Sequence, residues 1–233
     1  MERESISPTL VAIGSSAGGL EALRALLSRL PVDGNFCYVI AQHLAPQHTS
    51  MLNSLLSRDT AMPVLPLQER QPLTPNVVFV TPPNHNVVLR HDQLELVAPF
   101  EKGPKPSIDE LFVSISESAS LPAVGVLLSG SGSDGTLGAR RLKASGGYII
   151  AQEPRLAKYP SMPQSAITAG CVDCVLPAEE IGPFLGNIPW SPQEPPNPAS
   201  TRSKSSEIER ILEKISLATQ IDFRGYKQNT LNR

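Results

Sequence analysis

The segment Gly14-Ser15-Ser16-Ala17-Gly18 is a literal G-x-S-x-G. It stands between an apolar run, Thr9 to Ile13, and a helical stretch with Leu20, Leu23, Leu27 and Leu30 on one face. In that context a sharp strand-to-helix turn lifts one serine hydroxyl clear of the sheet, as in a nucleophile elbow. The helix start offers free amides and a positive dipole end to a developing oxyanion. The pattern selects Ser16 as nucleophile and makes Ser15 its neighbour. The bland alternative is a Gly/Ser turn that cradles a phosphate. The segment is neither G-x-G-x-x-G nor a P-loop, and no Lys-Ser/Thr pair follows the glycines.

A serine hydroxyl needs a base to take its proton. The chain has four histidines, His43, His48, His85 and His91. His43 falls just past the end of the apolar run Phe36–Ala41, where open α/β sheets carry their functional loops. The other three read as ordinary solvated loop side chains. A third group follows the apolar run Ala123 to Leu128, in Ser129-Gly130-Ser131-Gly132-Ser133-Asp134-Gly135. Small residues let the backbone turn there. Asp134 either orients the imidazole, completing a Ser–His–Asp triad, or simply caps the helix that follows. The order Ser…His…Asp differs from the Ser…Asp…His of the α/β-hydrolases, so a triad here sits on another topology.

The elements that must position these groups alternate along the chain. Apolar runs at 9–13, 36–41, 77–80, 123–128, 148–151 and 172–176 read as strands. Helical patterns are expected after Gly18, over roughly Ser50–Ser57, over Ser107–Ser118 with Ile108, Leu111, Phe112 and Ile115 on one face, and from about Leu137. Val87–Leu89 and Leu94–Val97 flank His91-Asp92 and predict a β-hairpin. The expected class is α/β: a doubly wound, mostly parallel sheet with helices on both faces and a local antiparallel hairpin. Five prolines between Pro189 and Pro198 end it with an extended segment. Beyond this, Ser206 and Glu209 have capping-box spacing, and Ile208, Ile211, Leu212 and Ile215 form an apolar stripe, predicting a helical C-terminal tail.

Composition excludes several classes. Of 233 residues, 40% are hydrophobic, enough for one sizeable core. A formal net charge of −2 gives no reason to expect bulk nucleic-acid or acidic-membrane binding. No apolar run approaches the ~20 residues that span a bilayer, and the first ten residues lack a basic region followed by an apolar one. Three cysteines make no closed disulfide framework, which fits a reducing cytoplasm. Cys171-x-x-Cys174 has metal-like spacing, but with no second pair or nearby histidine it reads as strand residues, and no metal is expected. Arg140-Arg141-x-Lys143 reads as a solvated helix face, with contact to an acidic partner surface as the alternative. Trp190 reads as a packing anchor.

Over residues 7–186 the chain resembles the catalytic domain of the chemotaxis protein-glutamate methylesterases (CheB-type). The resemblance rests on Ile13 to Gly19, Ala41-Gln42-His43-Leu44, Lys105 to Phe112, Leu128 to Gly135 with Gly138, Ala151-Gln152-Glu153, and Met162-Pro163 with Ala166. It implies that Ser16, His43 and Asp134 are nucleophile, base and orienting acid, with the backbone amides of Ala17 and Ser131 as oxyanion hole. It implies hydrolysis of glutamate methyl esters, with glutamine deamidation as a further activity, on the cytoplasmic helices of methyl-accepting chemoreceptors, without cofactor. Ala17 stands where the family often has threonine and Ser131 where it often has methionine. Typical members carry a phosphorylated receiver domain ahead of the catalytic one, whereas here the first strand begins near Thr9, so control by that domain is not expected. The competing expectations are a catalytically silent receptor-binding scaffold and a serine esterase acting on other substrates.

The tail, from Ile211 through Thr219–Lys227 to Thr230–Arg233, is similar to the start of the chemotaxis receptor methyltransferases. The expected organisation is a methylesterase domain over 1–188, a Pro-rich linker over 189–204, and the start of a methyltransferase-like helical domain over 205–233. That implies a fragment of a methylesterase–methyltransferase fusion.

Overall fold

The computed structural model describes residues 7–43, 49–100, 103–118 and 121–188. The expected linker, Trp190, His48 and the helical tail lie outside the described residues.

Strand β1 (Thr9–Ser15) leads into helix α1 (Gly19–Leu27), then β2 (Phe36–Gln42), α2 (Thr49–Leu56), β3 (Val64–Pro66), β4 (Arg70–Pro72) and β5 (Val77–Val80). Next come β6 (Asn86–Arg90), β7 (Gln93–Val97), α3 (Ile108–Ser116), β8 (Ala123–Leu127) and α4 (Thr136–Ala144). The described chain closes with β9 (Tyr148–Gln152), α5 (Ser161–Thr168), β10 (Cys174–Leu176) and α6 (Ala178–Gly186). Seven strands form one sheet in the order β10-β9-β8-β1-β2-β5-β3, and every pairing in it is parallel. The chain builds one half outward from β1 and then returns to build the other from β8. The strand order therefore reverses between β1 and β8, the position where such sheets open a crevice at their carboxyl ends.

Alternation along β1 explains the two-sided burial. Leu10 and Ala12 enter one apolar cluster with Ile108, Leu111 and Phe112 of α3, Leu142 of α4 and Met162 of α5. Val11 and Ile13 enter the other with Leu23, Leu26 and Leu27 of α1, Leu56 of α2 and Ile181 of α6. Successive side chains of a strand point to opposite faces, so a central strand covered on both sides is apolar throughout. Each fully buried Leu, Ile or Phe contributes ~1.5–3 kcal/mol through apolar surface removed from water. The all-apolar strands of the sequence are thus the consequence of helices on both faces.

The hairpin expected around His91-Asp92 is β6–β7, closed by a two-residue loop in which both residues have positive φ, 48° and 57°. Strand β4 joins β7 to complete a three-stranded antiparallel sheet. Four elements were not expected from the sequence. Strands β3 and β4 are three residues each, too short for periodicity to register. Helix α6 carries Pro183 in its interior, which argues against helix by propensity, and α5 is only eight residues long, with Pro163 in its first turn. Met162 and Ala166, and Ala178, Ile181 and Leu185, are nonetheless buried, and packing overrides the local preference.

Three smaller expectations are corrected. Leu20 is not part of the apolar face of α1; it is 36% exposed, while Ala22 and Leu26 join Leu23 and Leu27 inside. Arg140 and Arg141 are exposed, but Lys143 reaches Asp173 at 2.9 Å, and Asp173 also accepts from the Ile149 amide at 2.8 Å. Cys171 precedes β10 rather than lying in it; it is buried and donates to the Ala166 carbonyl at 3.2 Å. Among the described residues no group of three or more His, Cys, Asp or Glu side chains could hold a metal ion.

Candidate active site

Three loops leave the carboxyl ends of β1, β2 and β8, which are neighbours in the sheet. Their first residues continue the strand pairing. The Ser16 amide donates to the Ser129 carbonyl at 2.9 Å and the His43 amide to the Ser15 carbonyl at 3.0 Å. The chain then turns into α1 through Gly18, whose φ of +68° is left-handed backbone that favours glycine. A methyl group there would also meet Lys158 Cβ at 2.8 Å and Ser129 Oγ at 2.9 Å. The turn after β8 lies directly beside the serine: a side-chain carbon on Gly130 would come within 2.9 Å of Ser16 Cβ.

Within this frame Nδ1 of His43 is 2.9 Å from Ser16 Oγ, and Nε2 of the same ring is 2.9 Å from Asp134 Oδ2. The His43 and Asp134 side chains are only 15% and 10% exposed. Asp134 does not cap the helix that follows it. Its Oδ2 also accepts from the Ile108 amide at 2.8 Å and its Oδ1 from the Asp109 amide at 3.1 Å, the first turn of α3. Helix α4 receives its carboxylate from the other side, since Asp109 Oδ1 accepts from the Gly138 amide at 2.8 Å. The two helices thus exchange acidic side chains at their N-termini, each placed against a positive helix end.

Burial by itself raises the Asp134 carboxyl, but hydrogen bonds from His43 and from the Ile108 and Asp109 amides outweigh it, and its pKa lies below the ordinary value. A carboxylate holding three donors remains ionised. Asp109 goes the other way: burial raises it, the Gly138 amide opposes the rise, and the charge of Asp134 adds to it.

Helix α3 is itself braced. Ser107 Oγ accepts from the Glu110 amide at 3.2 Å, and buried Asn86 accepts from the Ser107 amide at 2.9 Å while donating to Glu110. Among the described residues the amides of Ala17 and Ser131 make no hydrogen bond. Ser129 joins the first and third loops: its hydroxyl donates to the Ala17 carbonyl at 2.8 Å and accepts from the Tyr159 amide at 3.0 Å.

Of the four histidines, only His43 enters this cluster among the described residues; His85 and His91 are exposed, and His85 bonds the Pro83 carbonyl. Sequence reasoning assigned no role to Gln42 or Asp109. The available signals were a polar residue ending an apolar strand and an acidic residue two places after a helix-capping serine.

The family of CheB methylesterases matches residues 11–185. A protein-glutamate methylesterase/protein-glutamine glutaminase of Maricaulis maris is 32% identical over 188 residues, covering 78% of this chain and 47% of the relative. A Leptospira interrogans relative is 33% identical over 173 residues, covering 73% of this chain and 90% of its own. The chain therefore spans about half of the first relative and most of the second. The crystal structure of the Thermotoga maritima CheB methylesterase catalytic domain superposes with a TM-score of 0.70 at 26% identity, covering 78% of this chain and all of that one. With its parallel sheet, the small antiparallel sheet and three loops converging on Ser16, the chain belongs to the CheB methylesterase family.

Proposed function

We propose that this chain hydrolyses γ-glutamyl methyl esters on the cytoplasmic helices of chemoreceptors, using Ser16, His43 and Asp134. The observation that carries the reading is the unbroken line of two 2.9 Å contacts from Ser16 Oγ through both ring nitrogens of His43 to Asp134. The names of relatives as protein-glutamate methylesterase/protein-glutamine glutaminase supply the substrate class.

In the first half-reaction Ser16 Oγ attacks the ester carbonyl as its proton passes to His43 Nδ1. The carbonyl oxygen becomes an oxyanion and accepts from the unoccupied amides of Ala17 and Ser131. Those positions act through their backbone, so alanine and serine serve there. Collapse breaks the carbon–oxygen bond to the methoxy group, which takes the proton from His43 and leaves as methanol. Water then loses a proton to His43, attacks the acyl-serine and releases glutamate and the free Ser16 hydroxyl. A glutamine side chain passes through the same acyl-enzyme with ammonia as leaving group, which gives the deamidation. Asp134, kept ionised by its three donors, balances the imidazolium charge in both halves.

The site of action on receptor cytoplasmic helices makes the cytoplasm the expected compartment. Among the described residues no helix is long and apolar enough to cross a membrane. The similarity of residues 211–233 to the start of receptor methyltransferases further suggests that the domain works in one chain with the opposing methylating activity. The mass of the native protein, read by immunoblot, tests that.

The reaction is tested by methanol release from a methylated chemoreceptor fragment. The parent is expected to release it, and Ser16→Ala to lose on the order of 10⁴–10⁶-fold. Equal background release from both proteins would overturn the reading in favour of a binding scaffold or another substrate.

A further inference from the structure

The triad contacts join side chains, but something must also hold the two backbones that carry Ser16 and His43. Gln42 is the last residue of β2 and is only 6% exposed. Its Nε2 donates to the Ser16 carbonyl at 2.9 Å and to the His43 carbonyl at 2.9 Å. Its Oε1 accepts from the hydroxyl of Ser15, which is fully buried. The side chain is thus used to capacity on its donor side: two N–H groups, two carbonyls. The opposite amide orientation would set Oε1 against two carbonyl oxygens, so the two acceptors determine which atom is nitrogen.

These bonds close a ring. It runs from the Ser16 backbone out to Oγ, across to His43 Nδ1, back through the His43 backbone to its carbonyl, and through Gln42 Nε2 to the Ser16 carbonyl. A relative shift of the two loops would stretch one of the Gln42 bonds, and in a buried place water offers no replacement. We infer that Gln42, oriented by the Ser15 hydroxyl, is a positioning residue that sets the spacing between Ser16 and His43. This rests on the catalytic reading above and gives Ser15, the other serine of the G-x-S-x-G segment, a task.

Glutamine suits the place because it has both an acceptor and two donors. An ionised glutamate of the same shape still accepts from Ser15 but turns a carboxylate oxygen toward the two carbonyls. The test compares Gln42→Glu and Ser15→Ala with the parent in three measurements: thermal unfolding, kcat and KM on the methylated receptor fragment, and the rate at which a fluorophosphonate labels Ser16. For folded Gln42→Glu, kcat and the labelling rate are expected to fall about 10²-fold, the scale of an ångström's misplacement, with KM changed less than about twofold. Ser15→Ala should move both in the same direction by a smaller factor, and it decides the matter if Gln42→Glu does not fold.

A merely structural role would lower the unfolding temperature and leave the folded protein's kcat and labelling rate intact, and that result overturns the inference. Should the parent show no Ser16-dependent methanol release, the substrate reading fails. The labelling rates then still decide the role of Gln42, because they require only an activated Ser16.

Discussion

Nδ1 of His43, not Nε2, faces Ser16 Oγ, at 2.9 Å. Nε2 points to Asp134 at the same distance, so the ring is used in the opposite sense from the serine-protease template, where Nε2 meets the serine. The difference follows from where the loops stand. Asp134 is pinned at the N-terminus of α3 by two amides, and the His43 ring bridges it to Ser16 in the turn after β1. Ring orientation is thereby imposed by the partners on either side.

This geometry specifies a tautomer. An ionised Asp134 accepts only, so Nε2 must carry the proton and Nδ1 must be free to accept from Ser16. Nitrogen NMR of the resting protein labelled at His43 should show the Nε2–H form. Asp134→Asn offers an amide donor to Nε2, drives the proton to Nδ1 and points it at Ser16 Oγ. Methanol release should fall by about 10⁴-fold while the fold persists. A spectrum with the proton on Nδ1 in the parent would contradict the assignment.

The exchange of carboxylates between α3 and α4 needs the two helices in close contact. Gly138 allows it: a methyl group there would lie 2.6 Å from Phe112 Cβ and 2.8 Å from the Asp109 carbonyl oxygen. Gly138→Ala is therefore expected to push the helices apart, costing about 1–3 kcal/mol of stability. Asp109 bonds both Gly138 and Asp134, so kcat should fall too, although residue 138 touches no member of the Ser–His–Asp line. Urea unfolding and methanol release measured together check both. Unchanged activity in a destabilised protein would show that the α3 amides tolerate displacement.

The two aspartates should respond to acid with opposite signs. The Asp134 pKa is lowered by folding, so its stabilising contribution is full above the unfolded value of about 3.9 and is lost as pH falls through the folded value. The Asp109 pKa is raised, so its ionisation opposes folding, and that cost disappears as pH falls through the folded value toward about 3.9. Relative to Asp134→Asn, the parent should lose stability below about pH 4. Relative to Asp109→Asn, it should gain stability as pH falls toward about 4 from above. Urea midpoints for the three proteins across this range are the measurement. A common sign for both differences would mean that the carboxylates titrate as one unit.

Much of the fold was legible because its signals are local. Apolar runs such as Thr9–Ile13, Phe36–Ala41 and Ala123–Leu128 announce strands buried on both faces, and the hairpin turn at His91-Asp92 announces itself by its flanking strands. The G-x-S-x-G segment, and a histidine and an aspartate placed after strands, could be singled out for the same reason. Helix α6 was not legible, since Pro183 argues locally against what burial of Ile181 achieves globally, and α5 is too short for its buried Met162 and Ala166 to mark a periodic face.

What only the tertiary structure decided is how these pieces face one another. In sequence, Asp134 serves equally well as the cap of α4. Its carboxylate goes to α3 instead, to amides twenty-six and twenty-five residues earlier in the chain, because the packing of α3 on α4 brings them within reach. Gln42 looks like any polar strand end until the sheet sets Ser15, Ser16 and His43 around it. Periodicity reports which side of an element is buried. It carries no information on the distance between elements far apart in sequence, and hydrogen bonds are decided by that distance to a few tenths of an ångström.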